Sequence, residues 1–229
     1  MNSTSKSSCT LHDILITEKT SPEIARIVEQ DLRYKQFEKG EFLSHDGEAP
    51  AYVMCVVSGT IKKYLMDASG HEFIVRIFKA GDIFGYTGIL NNSNTIGFAQ
   101  ALEKVEVCCL PQNTFLNIFE SEISVCNYFI KRLSYELDIA WRQIESLALF
   151  DVKKRICLLL LRLHAKFGDT TTWVINVELS RDDLAKLVGI ARESFSRSIR
   201  ELENEKIVSF VGKKIQIINL GLLTKYGQS

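Results

Sequence analysis

Between Cys126 and Leu147, apolar residues return at alternating intervals of four and three: Cys126, Ile130, Leu133, Leu137, Ala140, Ile144 and Leu147. No glycine or proline interrupts the run, and Lys131, Arg132, Glu136, Asp138, Arg142 and Glu145 fall off it. Three heptads at that spacing demand one long helix with a narrow apolar seam. A helix packed only on its own domain carries a wider stripe. The seam is therefore expected to be a dimer interface with a second copy of the chain. It also sets the expected organisation: residues 1–120 as one domain, 121–150 as the dimerising helix, and 151–229 as another domain.

The first section has a different period. From about Tyr34 to Leu110, short apolar runs end at glycine-bearing turns. Val53–Val57 ends at Ser58-Gly59, Ile61–Met66 at Asp67-Ala68-Ser69-Gly70, and Phe73–Phe78 at Ala80-Gly81-Asp82. Val105–Leu110 is stopped by Pro111. Strands of this length and spacing predict an antiparallel sandwich or barrel of the cupin-like jelly-roll kind, with short flanking helices. The fold class is then α+β.

Beyond the seam, Asp151 is placed to cap a new helix, Val152–Lys166, and the break before it is a candidate hinge. The strongest chemical signal lies in Leu179–Glu205. Ser180 with Asp183 three residues on forms a helix-start cap. Leu184, Ala185, Leu187 and Val188 make the apolar side of a short helix, and Gly189 permits a sharp turn plugged by Ile190. A second helix, Arg192–Glu205, carries Phe195, Ile199 and Leu202 on one face and Arg192, Glu193, Ser196, Arg197 and Arg200 opposite. Two helices across a short glycine turn fit helix-turn-helix geometry. Arginine grips guanine O6 and N7 in a bidentate fork, and glutamate accepts from cytosine N4. The runs Ile207–Val211 and Ile215–Ile218 flank Gly212-Lys213-Lys214 as a hairpin whose basic tip suits phosphate. The set predicts a winged helix-turn-helix.

The formal net charge is zero, yet its distribution is uneven. Residues 151–229 hold 14 Lys/Arg against 9 Asp/Glu, a net of +5, which leaves −5 for residues 1–150. Only the second part is suited to phosphate. No apolar run is long enough to span a bilayer, and the N-terminal MNSTSKSSCT reads as a mobile polar tail rather than an export signal. No membrane partner and a cytoplasmic location are expected. The six cysteines show no CxxC spacing, and His12, His45, His71 and His164 are isolated. Reduced, buried thiols are expected, with no metal and no cofactor.

In order and spacing, Lys39-Gly40-Glu41, Asp46-Gly47-Glu48, Val57-Ser58-Gly59-Thr60-Ile61-Lys62 and Gly81-Asp82-Ile83-Phe84-Gly85 resemble the sensor of the CRP/FNR bacterial transcription regulators. Leu147–Val152 with Arg155-Ile156 is similar to the family hinge, and Arg192-Glu193-Ser194-Phe195-Ser196-Arg197 to its DNA signature. The resemblance implies a homodimer on a near-palindromic duplex, with reading helices in successive major grooves about 34 Å apart. DNA-contacting residues would be Ser180, Arg192, Glu193, Ser194, Ser196, Arg197, Arg200, Lys213 and Lys214. Arg192 before the glutamate is similar to the CRP branch and Glu193-x-x-Ser196-Arg197 to the FNR branch; both imply half-sites with a GA core. RNA polymerase and a small-molecule effector are further partners that the resemblance admits.

The family's cyclic-nucleotide sensors carry a Glu after the Phe-Gly of the phosphate turn and an Arg-Ser/Thr pair beyond it. Here Tyr86 follows Phe84-Gly85, and no Lys or Arg occurs between Lys79 and Lys104. A buried phosphate without a cationic partner is costly, so an effector other than cyclic AMP is expected. By family analogy its pocket would involve Tyr86, Thr87, Tyr128, Lys131 and Arg132. A lone N-terminal Cys9 argues against an iron–sulfur cluster, and His71 sits in an apparent turn rather than a haem site. Adjacent Cys108 and Cys109 point to opposite faces of a strand; thiol sensing through Cys9 or the exposed member of that pair is an alternative. A cupin-like enzyme is disfavoured because no His-x-His occurs, and no nucleophile triad or phosphate loop stands out. A cyclic-nucleotide-binding module without DNA conflicts with the helix-turn-helix.

Overall fold

The computed structural model describes residues 9–17 and 20–228; residues 1–8 of the expected polar tail lie outside them. The chain divides into two compact units, one of residues 1–71 and 75–135, the other of residues 72–74 and 136–229.

The first unit opens with helices α1 (Thr10–Leu15) and α2 (Pro22–Asp31) and then builds two antiparallel sheets. Strands β1 (Arg33–Phe37), β8 (Val105–Pro111), β3 (Tyr52–Ser58) and β6 (Ile83–Phe84) form one, in that order. Strands β2 (Phe42–Ser44), β7 (Phe98–Ala101), β4 (Ile61–Met66) and β5 (Glu72–Phe78) form the other. Helix α3 (Tyr86–Leu90) follows β6, and α4 (Gln112–Ser121) follows β8. The β3 and β8 runs are apolar on both faces because both faces are covered. On the inner face, Met54, Val56, Val107 and Cys109 join one core cluster with Phe78, Phe84 and Ala99. On the outer face, Val53, Cys55, Cys108 and Leu110 join a second cluster with Leu11, Val28, Tyr86, Phe115 and Phe129. Tyr86 and Phe129 meet edge to face at 5.0 Å, and Phe115 and Phe129 at 4.9 Å. Burying each such side chain contributes about 1.5–3 kcal/mol.

The run Ile61–Met66 is a strand as expected, and the other three predicted strands differ by one residue at an end or at both. Strands β1, β2, β6 and β7 were not predicted. In β1 four of five residues are exposed, and β2 and β6 hold three and two residues, so none shows an apolar alternation. The sheets form an open sandwich.

Helix α5, Ile123–Leu149, is one uninterrupted 27-residue helix. It ends at Phe150, and α6 (Val152–Phe167) starts afresh from Asp151, whose Oδ1 accepts from the Lys154 backbone N–H at 2.9 Å. The expected cap is present. In the second unit α6 is followed by β9 (Val174–Ile175), α7 (Arg181–Val188), α8 (Arg192–Asn204), β10 (Val208–Val211), β11 (Lys214–Ile217) and α9 (Leu220–Gln228). The three strands are ordered β10-β11-β9. Ile156, Leu160, Leu184, Phe195, Ile199, Leu202 and Leu223 are buried here.

Candidate nucleic-acid interface

Helix α7 begins with a reciprocal cap. The Asp183 backbone N–H donates to Ser180 Oγ at 3.0 Å, and the Ser180 backbone N–H donates to Asp183 Oδ2 at 3.2 Å. Two of the unpaired donors at a helix start are thereby satisfied. The helix ends at Gly189, whose φ of +73° is a left-handed value that non-glycine residues adopt at a cost. That turn launches α8 in a new direction.

Phe195, Ile199 and Leu202 fix the rotation of α8 because all three are fully buried. The opposite face is then exposed by necessity. Arg192, Glu193, Ser194, Arg197 and Arg200 are exposed, and Ser196 is half-buried. Arg192, Glu193, Ser196, Arg197 and Arg200 line one shallow open groove, joined by Glu201 and Asn204. At the far end of α8, Glu205 accepts from Lys153 Nζ at 2.7 Å and from Tyr226 OH at 2.9 Å. The Lys153 hydrogen bond, with that from Tyr226, holds the Glu205 carboxyl below its ordinary range.

Strands β10 and β11 pair Val208 with Ile217 and Val211 with Lys214, leaving Gly212-Lys213 as a two-residue tip. The Lys213 side chain is 80% exposed, with Glu178 Oε2 at 3.7 Å, and Lys214 Nζ donates to Asn176 Oδ1 at 3.3 Å. Expected DNA-contacting residues thus divide among a cap at Ser180, the open face of α8, and the wing.

The α5 seam is uncovered over most of its length. Ile130, Leu137 and Ile144 are 51%, 56% and 55% exposed, and Leu147 and Ala140 are exposed too. Cys126 and Leu133 are half-buried, and Leu133 packs on the outer cluster of the sandwich. Ile123, Tyr135 and Trp141, which the sequence reading passed over, add exposed apolar surface on the same helix.

The sandwich holds a partly open cavity of about 280 Å³. Of the five residues expected there, Thr87 lines it. The other four lie elsewhere. Tyr86 is buried in the outer aromatic cluster, Tyr128 packs beside Phe129, and Lys131 is exposed. Arg132 pairs with Asp82 at 3.8 Å. The wall includes Gly85, where a Cβ would stand 2.6 Å from the Tyr52 carbonyl oxygen, so a side chain is excluded. It also includes Lys35 and Lys63, which the sequence reading missed. A signal for Lys63 existed: it lies two residues after Ile61 on one strand, and so shares its inward face.

The cysteines depart from expectation. Cys9, at the start of α1, is disulfide-bonded to Cys108 of β8, 99 residues away. Cys55 lies opposite Cys108 in the β3–β8 register, and the three Sγ atoms lie within 4.8 Å of one another. Neither Cys108 nor Cys109 is exposed, because helices cover the outer face of β8 and the other sheet covers the inner. With two sulfurs in a bond, the trio offers one thiol and no chelating set. Burial pushes the Cys55 thiol up, and the Cys109 and Cys157 thiols up to about 11, so these three are protonated and unreactive at neutral pH. His71 lies in the β4–β5 turn with its side chain 85% exposed, as expected of a surface histidine. Among the described residues no helix is long and apolar enough to cross a membrane.

Residues 34–122 match the cyclic nucleotide-binding domain, and residues 154–226 the Crp-like helix-turn-helix domain. A sandwich of the first kind ahead of a winged helix of the second defines a DNA-binding transcription regulator, not an enzyme. The chain is 26% identical over 206 residues to the fumarate and nitrate reduction regulatory protein of Vibrio cholerae, covering 89% of this chain and 81% of that one. A transcriptional regulator of the CRP/FNR family from Thermus thermophilus superposes with a TM-score of 0.71 at 26% identity, over 86% of this chain and 99% of that one. FixK2 from Bradyrhizobium japonicum shares the fold, with a TM-score of 0.78 at 21% identity over 85% and 96% of the two chains. The chain belongs to the CRP/FNR family of transcription regulators.

Proposed function

We propose that this regulator binds a near-palindromic duplex as a homodimer, with each α8 in a major groove. Glu193 and Arg197 read an inner G·C pair of a GA-containing half-site, Arg192 and Ser196 set the flanking bases, and Lys213 and Lys214 meet phosphate. Ser180, Ser194 and Arg200 complete the contact. The observation that carries this reading is the open face of α8, where three arginines and a glutamate stand exposed opposite a fully buried stripe. The exposed α5 seam supports the dimer, because apolar side chains more than half exposed at heptad spacing call for a partner surface. Asp151 marks the hinge. RNA polymerase is a further partner, and the controlling effector is a small molecule other than cyclic AMP.

Selection of bound DNA from a random duplex pool by the ligand-free protein tests the reading. Enrichment of a palindrome with GA-containing half-sites one helical turn apart is expected. Enrichment of unpaired half-sites would remove the dimer, and an unchanged selected profile for Arg197→Ala would remove the docking.

One observation favours a second mode of control. The Cys9–Cys108 bond joins the N-terminal segment to the sandwich, and intracellular disulfides are commonly regulatory. Oxidation of the two thiols by an oxidised low-molecular-weight disulfide would yield the protein disulfide and two small thiols. DNA affinity that differs between the oxidised and reduced protein would support this mode.

A further inference from the structure

Two lysines from opposite sheets line the cavity of the sandwich, Lys35 exposed at its rim and Lys63 half-buried. Lys35 of β1 pairs with Val107 of β8, and Lys63 of β4 pairs with Ala99 of β7. Residues directly opposite in an antiparallel ladder share a face, and Val107 and Ala99 both belong to the inner core. Both lysines therefore line the 280 Å³ cavity from facing walls. The Lys35 ammonium lies 4.1 Å from the Tyr52 ring centre, itself part of the wall.

The rest of the lining sets the kind of guest. Ser44, Thr87 and Thr95 bring hydroxyl groups, whereas Phe37, Leu43, Met54, Phe84 and Ile96 form the apolar wall. Glu48 is the acidic residue of the lining, and its carboxylate is engaged by His45: the backbone N–H donates to Oε2 at 3.1 Å and ring Nδ1 lies 3.2 Å from Oε1. Two point cations, hydroxyl donors and an apolar body describe a receptor for a small amphipathic anion. No arginine fork lines the cavity to grip a phosphate in bidentate fashion.

We propose that this cavity binds a small organic carboxylate with an apolar body, held by Lys35 and Lys63. The proposal rests on reading the first unit as the sensor and names the chemistry of its effector. Lysine heads close on the carboxylate from the two sheets, so occupancy ties one sheet to the other across the cavity.

Isothermal titration of the full-length protein, without DNA, tests it with 4-phenylbutyrate and the neutral 4-phenylbutanol as matched probes. One phenylbutyrate per chain should bind at least tenfold more tightly than the alcohol. Lys35→Met and Lys63→Met should each weaken the acid at least fivefold and leave the alcohol within twofold; Lys63→Gln should behave as Lys63→Met does. The double Met variant should melt close to the parent, since Lys35 is exposed, Lys63 is half-buried, and methionine keeps an apolar stem of similar length at each position. Equal affinity for acid and alcohol, binding of neither, or unaltered acid binding by the double variant would overturn the proposal. Tighter binding of cyclic AMP than of phenylbutyrate would replace it with a nucleotide site. DNA selection uses ligand-free protein, so either experiment can fail while the other succeeds.

Discussion

Leu137 sits at the middle of the α5 seam and is 56% exposed. Fully burying a leucine contributes about 1.5–3 kcal/mol, so covering the exposed half contributes about 1–1.5 kcal/mol per chain. The symmetric contact doubles this to about 2–3 kcal/mol. Replacement by lysine removes that gain and places two like charges against each other on the seam axis, where partial desolvation adds about 1–2 kcal/mol. Leu137→Lys should therefore weaken the dimer by about 3–5 kcal/mol, or two to four decades in dissociation constant. Sedimentation equilibrium at micromolar concentration reads this as a shift towards monomer, with loss of binding to a two-half-site operator. Asp138→Lys makes a larger charge change off the seam and should leave the dimer intact. A Leu137→Lys protein that stays as dimeric as Asp138→Lys would refute the reasoning, and α5 would then not be the contact.

Arg197→Ala should cost about 1–3 kcal/mol in specific binding and relax the preference at the inner G·C pair, read from the selected sequences. Lys213→Ala should weaken binding to all sequences alike and lower the slope of log affinity against log salt by about one. Ser180→Ala breaks the cap of α7 and should destabilise the second unit by about 0.5–2 kcal/mol in denaturant melts, with the Asp183 partner left in place. The Cys9–Cys108 bond closes a span of 99 residues, for which chain entropy gives about 4–5 kcal/mol of stabilisation. Reductant should lower the denaturation midpoint of the parent and leave Cys9→Ser unmoved, whereas six free thiols in the untreated parent would contradict the bond.

The legible parts of the chain are those whose pattern is local. Strands β3, β4 and β8 announce themselves as apolar runs between turns, and Asp151, Ser180 and Gly189 act within a few residues of themselves. The open face of α8 could be read because its buried partners Phe195, Ile199 and Leu202 share a helical period with it. Strand β1 was hidden because Arg33-Tyr34-Lys35-Gln36 is an edge segment with four exposed residues. Helix α9, with glycines at 221 and 227, carries no strong period of its own. The meeting of Cys9 with Cys108 depends on α1 folding over the outer face of β8, a contact that no spacing encodes. The same is true of the cavity: Lys63 could be turned inward by parity, but the partnership with Lys35 arises only when two sheets face each other.

Glu205 is gripped by Lys153 of α6 and Tyr226 of α9. Helix α8 is therefore anchored at its trailing end, like a lever bolted at its heel, while its leading end carries Arg192 and Glu193 exposed. A lever so held keeps its pitch only while the final nine-residue helix is in place. On the proposed docking, a change that loosens α9, such as Tyr226→Phe, thus acts on groove alignment some three turns of helix away.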